Sequence, residues 1–164
     1  MTTRHFAGVI AFLLVLPAAA QAQEHRGTLD LSAGYAAFLD EDAIEHLAVG
    51  GAWRWRVTPR FSVGPEVVFM KGPGGDRDVF ITAKVLVDFM PERRASPYFV
   101  ADGGIMIHRD EFDFRSGPFW SKEGAGSFGG GVRIDITPRL FVAPEFRIGW
   151  EPHVRVTGVV GWRM

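Results

Sequence analysis

The sequence predicts an all-β protein, eight antiparallel strands closing into an up-and-down barrel. Three observations carry this expectation. From Gly27 onward, apolar and polar residues alternate with period two rather than 3.6. The alternating segments run ten to twelve residues, whereas strands of soluble proteins usually run ~5–6. The connections alternate as well, with mostly short turns at one end and longer polar loops at the other.

Taken in order, the first strand spans 28–38, with Leu29, Leu31, Ala33 and Tyr35 on one face and Thr28, Asp30, Ser32 and Gly34 on the other. The second, 46–57, sets Leu47, Val49, Trp53 and Trp55 against His46, Ala48, Gly50, Arg54 and Arg56. The third, 61–70, sets Phe61, Val63, Pro65, Val67 and Phe69 against Ser62, Gly64 and Glu66. The fourth, 79–89, sets Val79, Ile81, Val85 and Val87 against Thr82, Lys84 and Asp88. The fifth, 98–108, sets Phe99, Ala101, Ile105 and Ile107 against Asp102, Gly104 and His108. The sixth, 126–136, sets Phe128, Val132 and Ile134 against Gly129, Gly131, Arg133 and Asp135. The seventh, 140–149, sets Leu140, Val142, Pro144, Phe146 and Ile148 against Ala143, Glu145 and Arg147. The eighth, 153–163, sets Val154, Val156, Val160 and Trp162 against His153, Arg155 and Thr157.

Composition narrows the setting. Arg4 and His5 precede an apolar run, Phe6–Leu16, and an Ala20-Gln21-Ala22 site, so residues 1–22 read as a cleaved signal peptide and 23–164 as the barrel. The run is too short for a helix of ~20 residues across the bilayer. A formal charge of −1 argues against nucleic-acid partners. The absence of cysteine excludes disulfides, thiolate metal sites and thiol nucleophiles.

Alternation alone does not say which face meets water. Tilted membrane-spanning strands need ~9–11 residues, the length seen here. The polar face carries charges of both signs: Asp30, Arg54, Arg56, Glu66, Lys84, Asp88, Asp102, Arg133, Asp135, Glu145, Arg147 and Arg155. Opposite charges can satisfy one another inside a narrow barrel, and glycine makes room for them. The aromatics of the apolar face gather at strand ends, Trp55, Phe61, Phe89, Phe99 and Trp162 at the turn end and Tyr35, Phe69 and Trp150 at the loop end. Two such girdles suit the two edges of a bilayer, so the expected fold is transmembrane, with apolar residues facing lipid.

One sentence is written twice. "VTPRFSVGPEVVFM" (57–70) returns as "ITPRLFVAPEFRIGW" (136–150), each a turn followed by a strand. The alignment extends back to match Arg54 with Arg133 and Glu66 with Glu145. It predicts an inward Arg–Glu ion pair in each half, because a buried carboxylate needs a partner. Pro65 and Pro144 lack an amide donor, so a bulge or a locally open ladder is expected at each.

With its signal segment, "PYFVADGGIMI", "GSFGGGVRIDITPRLFVAPEFRIGW" and "TGVVGWRM", the chain resembles the outer-membrane β-barrel domain family, the small eight-stranded OmpA/OmpX/OmpW-type barrels. The resemblance covers the whole of 23–164 and implies a cell outer-membrane location, with outer-membrane lipid as its surroundings. It also implies assembly machinery that reads a final aromatic residue, usually Phe; this chain departs from that pattern with Met164 last and Trp162 two residues before it. The family includes structural, adhesive and small-solute-passing members. The balanced lumen charges favour a structural role with a filled interior. A narrow channel or carrier for small or apolar solutes, and surface recognition through the loops, remain as alternatives.

Candidate sites are few. The charge network expected in the lumen is Arg54, Glu66, Lys84, Asp88, Asp102, Arg133, Asp135, Glu145, Arg147 and Arg155. The third long loop, 109–125, carries Phe112, Phe114, Phe119 and Trp120, a candidate contact for a small apolar ligand or a cell-surface partner. His46, His108 and His153 fall at one rim, and no Glu or Asp spacing completes a ligand set, so no metal or cofactor is expected. Ser121 and Ser127 are tied to no histidine by any motif, so no catalytic residue is assigned. "GPGGD" and "GAGSFGGG" share only glycine content with phosphate loops.

Overall fold

Period-two alternation demands that every strand cover one face, and the chain meets that demand by closing on itself. The computed structural model describes residues 27–39, 44–110, 119–150 and 152–164; the expected signal segment lies outside them. The strands are β1 (Gly27–Phe38), β2 (Ile44–Arg56), β3 (Phe61–Lys71), β4 (Arg77–Asp88), β5 (Ala95–Asp110), β6 (Phe119–Asp135), β7 (Leu140–Gly149) and β8 (His153–Arg163). Each pairs antiparallel with the next, and β8 returns to β1, giving a closed up-and-down barrel. At the seam, the Gly27 amide donates to the Met164 carbonyl at 3.2 Å, and the Met164 amide to the Gly27 carbonyl at 2.8 Å. Closure removes the unpaired edge that an open sheet would present to its surroundings.

The repeated sentence builds the same turn twice. Thr58 accepts on Oγ1 from the Phe61 amide at 3.0 Å, and Thr137 accepts from the Leu140 amide at 2.9 Å. The threonine thus supplies the hydrogen bond that tightens the chain reversal. Of the two outcomes expected at the prolines, the structure adopts the open ladder. Pairing of β2 with β3 stops at Ala52↔Glu66 and resumes at Trp55↔Val63 with no residue inserted. Pairing of β6 with β7 stops at Gly131↔Glu145 and resumes at Ile134↔Val142. On their other sides Pro65 stays paired with Ala83 and Pro144 with Gly158, because each proline lacks a donor toward one neighbour only.

Two strands outrun their sequence boundaries. β5 and β6 pair from Ala95↔Ile134 to Asp110↔Phe119, whereas alternation stops near His108 and resumes at Gly126. Pairing of β6 with β7 begins only at Ser127↔Gly149, so the first part of β6 rests on β5 alone. Its sequence, "FWSKEGA", is polar and shows no lipid-type alternation, which is why it reads as loop.

The interior is layered. Toward the loop end, Ala36, Ala48, Val68, Met70, Phe80 and Met106 form one buried apolar cluster. Toward the turn end, Leu86, Tyr98, Val100, Ala143 and Val159 form another. The charged residues lie between and below them. Outside, Leu31, Leu47, Val67, Ile81, Phe128, Phe146, Val156 and Val160 are exposed, an inversion of the soluble pattern.

Backbone packing beside Pro65 makes Gly64 sensitive. A Cβ there would collide with the Trp53 carbonyl oxygen, whereas one on Gly124 would meet nothing within 4 Å. Gly64→Ala should therefore lower stability by about 1–3 kcal/mol, as overpacking does. Gly124→Ala should leave it within about 0.5 kcal/mol. Urea midpoints of the folded-to-unfolded gel mobility shift check both.

Candidate functional site

The lumen charges come together because inward positions on neighbouring strands stack at the same depth. At the centre, Arg147 (β7) binds three carboxylates. Its Nη1 lies 2.7 Å from Glu66 Oε2 and 2.6 Å from Asp102 Oδ2, and its Nε donates to Glu145 Oε1 at 2.7 Å. Lys84 (β4) donates to Glu66 Oε1 at 3.0 Å and lies 3.8 Å from Asp30. Arg155 (β8) approaches Glu66 Oε2 at 3.8 Å. Tyr98 donates its hydroxyl to Glu145 Oε2 at 2.8 Å, and Ser127 donates to Asp102. Arg54 (β2) grips Asp30 (β1) with two bonds, 2.6 and 3.1 Å, and donates to Ser62 at 2.7 Å. Four acids, Asp30, Glu66, Asp102 and Glu145, thus meet four bases, Arg54, Lys84, Arg147 and Arg155.

A second group sits nearer the turns. Arg133 reaches Asp88 at 3.1 Å and Asp135 at 3.3 Å, and Ser96 donates to Asp88. Arg163 binds Asp135 at 2.6 Å and lies 5.2 Å over the Phe141 ring.

The structure corrects the expected pairing. Arg54 takes Asp30 rather than Glu66, and Arg133 takes Asp88 and Asp135 rather than Glu145. Arg54 has acids diagonally across on both neighbouring strands, since Asp30 and Glu66 both pair with Ala52. Glu66 is already held by Lys84 and by Arg147 from across the barrel, which leaves Arg54 to Asp30. In the second half, the position matching Asp30 is Tyr98, which pairs with Gly131 as Asp30 pairs with Ala52. Gly131 has no side chain to obstruct the Tyr98 ring, and Tyr98 serves Glu145 instead of an arginine.

The interior has little space left. Between Glu66, Thr82, Asp102, Ser127 and Arg155 there is no room for a water molecule. A cavity of about 50 Å³ opens toward the turns, lined by Asp30, Arg54, Lys84 and Glu145 of the central set and by Asp88 and Arg163. It has room for a few waters.

Of the aromatic loop residues, Phe112 and Phe114 lie outside the described residues, while Phe119 and Trp120 belong to β6. Trp120 is 63% exposed, on the stretch of β6 paired only with β5.

One cluster escaped the sequence reading. His46 Nε2 lies 2.8 Å from Asp76 Oδ2, and His108 Nδ1 lies 2.7 Å from Asp78 Oδ1. His108 and Asp78 are direct cross-strand partners, while Asp76 is returned to His46 by the turn Pro73–Gly75. His153 stands apart, its ring beside Phe38 and Phe80. The signal in the sequence was "GPGGD", whose glycines Gly74 and Gly75 take positive φ, 68° and 100°, to make the reversal.

A closed eight-stranded antiparallel barrel with an apolar exterior and a charged, filled interior is the fold of the small outer-membrane barrels. Solved structures agree. The chain matches Neisserial surface protein A with TM-score 0.71 at 11% identity, covering 88% of this chain and 99% of that one. It matches the N-terminal barrel of Pseudomonas aeruginosa OprF with TM-score 0.64 at 10% identity, covering 86% and 100%. Ail, the attachment invasion locus protein of Yersinia pestis, matches with TM-score 0.53 at 10% identity, covering 87% and 100%. No protein-family model and no curated protein sequence matches the chain.

The central cluster predicts a specific energetic pattern. Arg147→Met should remove the cation that three carboxylates share and cost about 3–5 kcal/mol, as the loss of one member of a buried pair does. Adding Glu66→Gln should make the double variant milder than the sum of the singles. Arg54→Met with Asp30→Asn should behave alike, whereas Arg54→Met with Glu66→Gln should show a smaller coupling, carried only through Lys84, which lies near both Asp30 and Glu66. Double-mutant cycles in urea check all three.

Proposed function

We propose that the protein is an integral outer-membrane barrel with a structural role in the cell envelope, its interior locked against hydrophilic solutes. The observation that carries this reading is the balanced set of four acids and four bases at mid-barrel, with no room for water between Glu66, Asp102 and Arg155. Eight tilted strands enclose a space that side chains just fill. Ion pairs among those side chains tie opposite walls together and leave no aqueous column. The apolar exterior and the two aromatic girdles support outer-membrane lipid as the surrounding medium. Assembly machinery acting on the C-terminal strand, and export by a cleaved signal peptide, belong to the same reading.

Fractionation should recover the protein from the outer membrane, with faster gel migration before boiling than after. In planar bilayers it should show no steady conductance of porin size. Recovery as a soluble protein would defeat the membrane reading; a large steady conductance would defeat the locked interior.

A second reading, surface recognition, is favoured by the overhanging part of β6 with Trp120 exposed. Ail carries attachment and invasion in its name, and a likeness of fold brings that possibility here only as a proposal. Cells displaying the protein should then lose adherence with Trp120→Ser while the barrel stays heat-modifiable. Unchanged adherence would dismiss this residue as a contact.

A further inference from the structure

We propose that His46, Asp76, Asp78 and His108 form a binding site for one divalent transition cation of the zinc class at the loop-end mouth of the barrel. Ligand atoms of His46, Asp76 and Asp78 already lie within 4.8 Å of one another, and His108 borders both carboxylates. His46 Nε2 lies 2.8 Å from Asp76 Oδ2 and 3.5 Å from Asp78 Oδ2. His108 Nδ1 lies 2.7 Å from Asp78 Oδ1 and 3.5 Å from Asp76 Oδ1. Bonds of ~2.0–2.2 Å in a tetrahedron put neighbouring ligand atoms about 3.4 Å apart. The two histidines contact different oxygens of each carboxylate, so to share one ion the 2.8 Å contact of His46 must open by about 0.6 Å and His108 must turn toward the oxygens that face His46.

Three further observations point to a ligand rather than to an ordinary pair of surface contacts. His46 Nδ1 lies 3.1 Å from the Ile44 carbonyl, which can only accept, so it donates there, and Nε2, which faces the carboxylates, is the nitrogen at which a metal would replace a proton. Orientation of a histidine by a backbone carbonyl on its other nitrogen is the usual arrangement around bound metals. Asp76 Oδ1 is buried and takes no hydrogen bond among the described residues, leaving a lone pair available within the cluster. Gly72 keeps the space clear, since a Cβ there would come within 2.6 Å of His46 Nε2 and 2.8 Å of Asp76 Oδ2. Two carboxylates also bring the charge that a divalent ion neutralises. Two imidazoles select the zinc class over magnesium and calcium, which prefer all-oxygen sites.

The site would act as a staple. His46 belongs to β2, Asp78 to β4, His108 to β5, and Asp76 closes the β3–β4 connection. β2 and β5 are not neighbours in the barrel, so one ion would tie strands that share no ladder. His46 and Asp78 are almost fully covered, while His108 and Asp76 keep 29% and 16% of their side chains exposed, which gives the ion an approach from the mouth.

The test uses the folded protein without a histidine tag, stripped with chelator and titrated calorimetrically with zinc chloride. One equivalent should bind saturably, and cobalt(II) in its place should give the intense visible absorption of a tetrahedral site. His108→Ala and Asp76→Asn, at the more accessible positions, should each weaken binding by at least about 100-fold, since outer-shell partners alone are worth about 10–100-fold. Both variants should keep heat-modifiable gel migration, which separates loss of a ligand from loss of the fold. No saturable binding by the unaltered protein would overturn the proposal. So would folded variants that bind zinc as tightly as it does, or magnesium binding as tightly as zinc.

Discussion

The interior is organised around one guanidinium. Arg147 holds Glu66, Asp102 and Glu145, carried on β3, β5 and β7, and each carboxylate also has a second partner. A guanidinium has five N–H donors in a rigid fork, which suits it to several carboxylates at once. Three acids so close would repel one another without it. The rest of the lumen follows from placing that charge. Lys84 and Arg155 complete the balance, Tyr98 and Ser127 occupy remaining oxygen lone pairs, and an apolar cluster lies on each side, one toward the loops and one toward the turns. Burial of so many charges is tolerable only because each is paired; it is a source of definite geometry more than of net stability.

The exterior obeys a complementary constraint. In the proposed membrane setting hydrocarbon offers no partners to the backbone, so the sheet must satisfy itself, and it does so by joining β8 to β1. Pro65 and Pro144 fit this scheme on the outer face. Each interrupts one ladder and leaves the opposite ladder whole, so the cost of the missing donor stays local. The repeated turn chemistry of Thr58 and Thr137 places the two halves in the same frame. Their interiors then diverge, with Asp30 at a position in one half and Tyr98 at the matching position in the other.

The loop-end mouth is built on different principles from the span. There the β5–β6 hairpin outruns its neighbours, and "GPGGD" reverses through two positive-φ glycines to bring Asp76 over His46. Strand pairing and turn geometry, rather than lipid matching, decide what meets there.

By itself, the sequence determined the strand order, the closed all-β class and which residues face inward, because the side-chain period of a strand is two whatever the surroundings. Eight alternating segments of spanning length joined by alternating turns and loops leave little other choice. What only the tertiary structure decided is which inward groups touch. Glu66 and Arg147 are 81 residues apart and meet because closure sets β3 opposite β7. Arg54 turns to Asp30 because its other diagonal acid is already held. His46 finds Asp76, 30 residues away, only through the backbone reversal at Gly74 and Gly75. "FWSKEGA" becomes strand because β5 is there to pair with it, and nothing in its own pattern says so. Periodicity is a local property of the chain; contact across a lumen depends on tilt, closure and competition among partners, which no local pattern records.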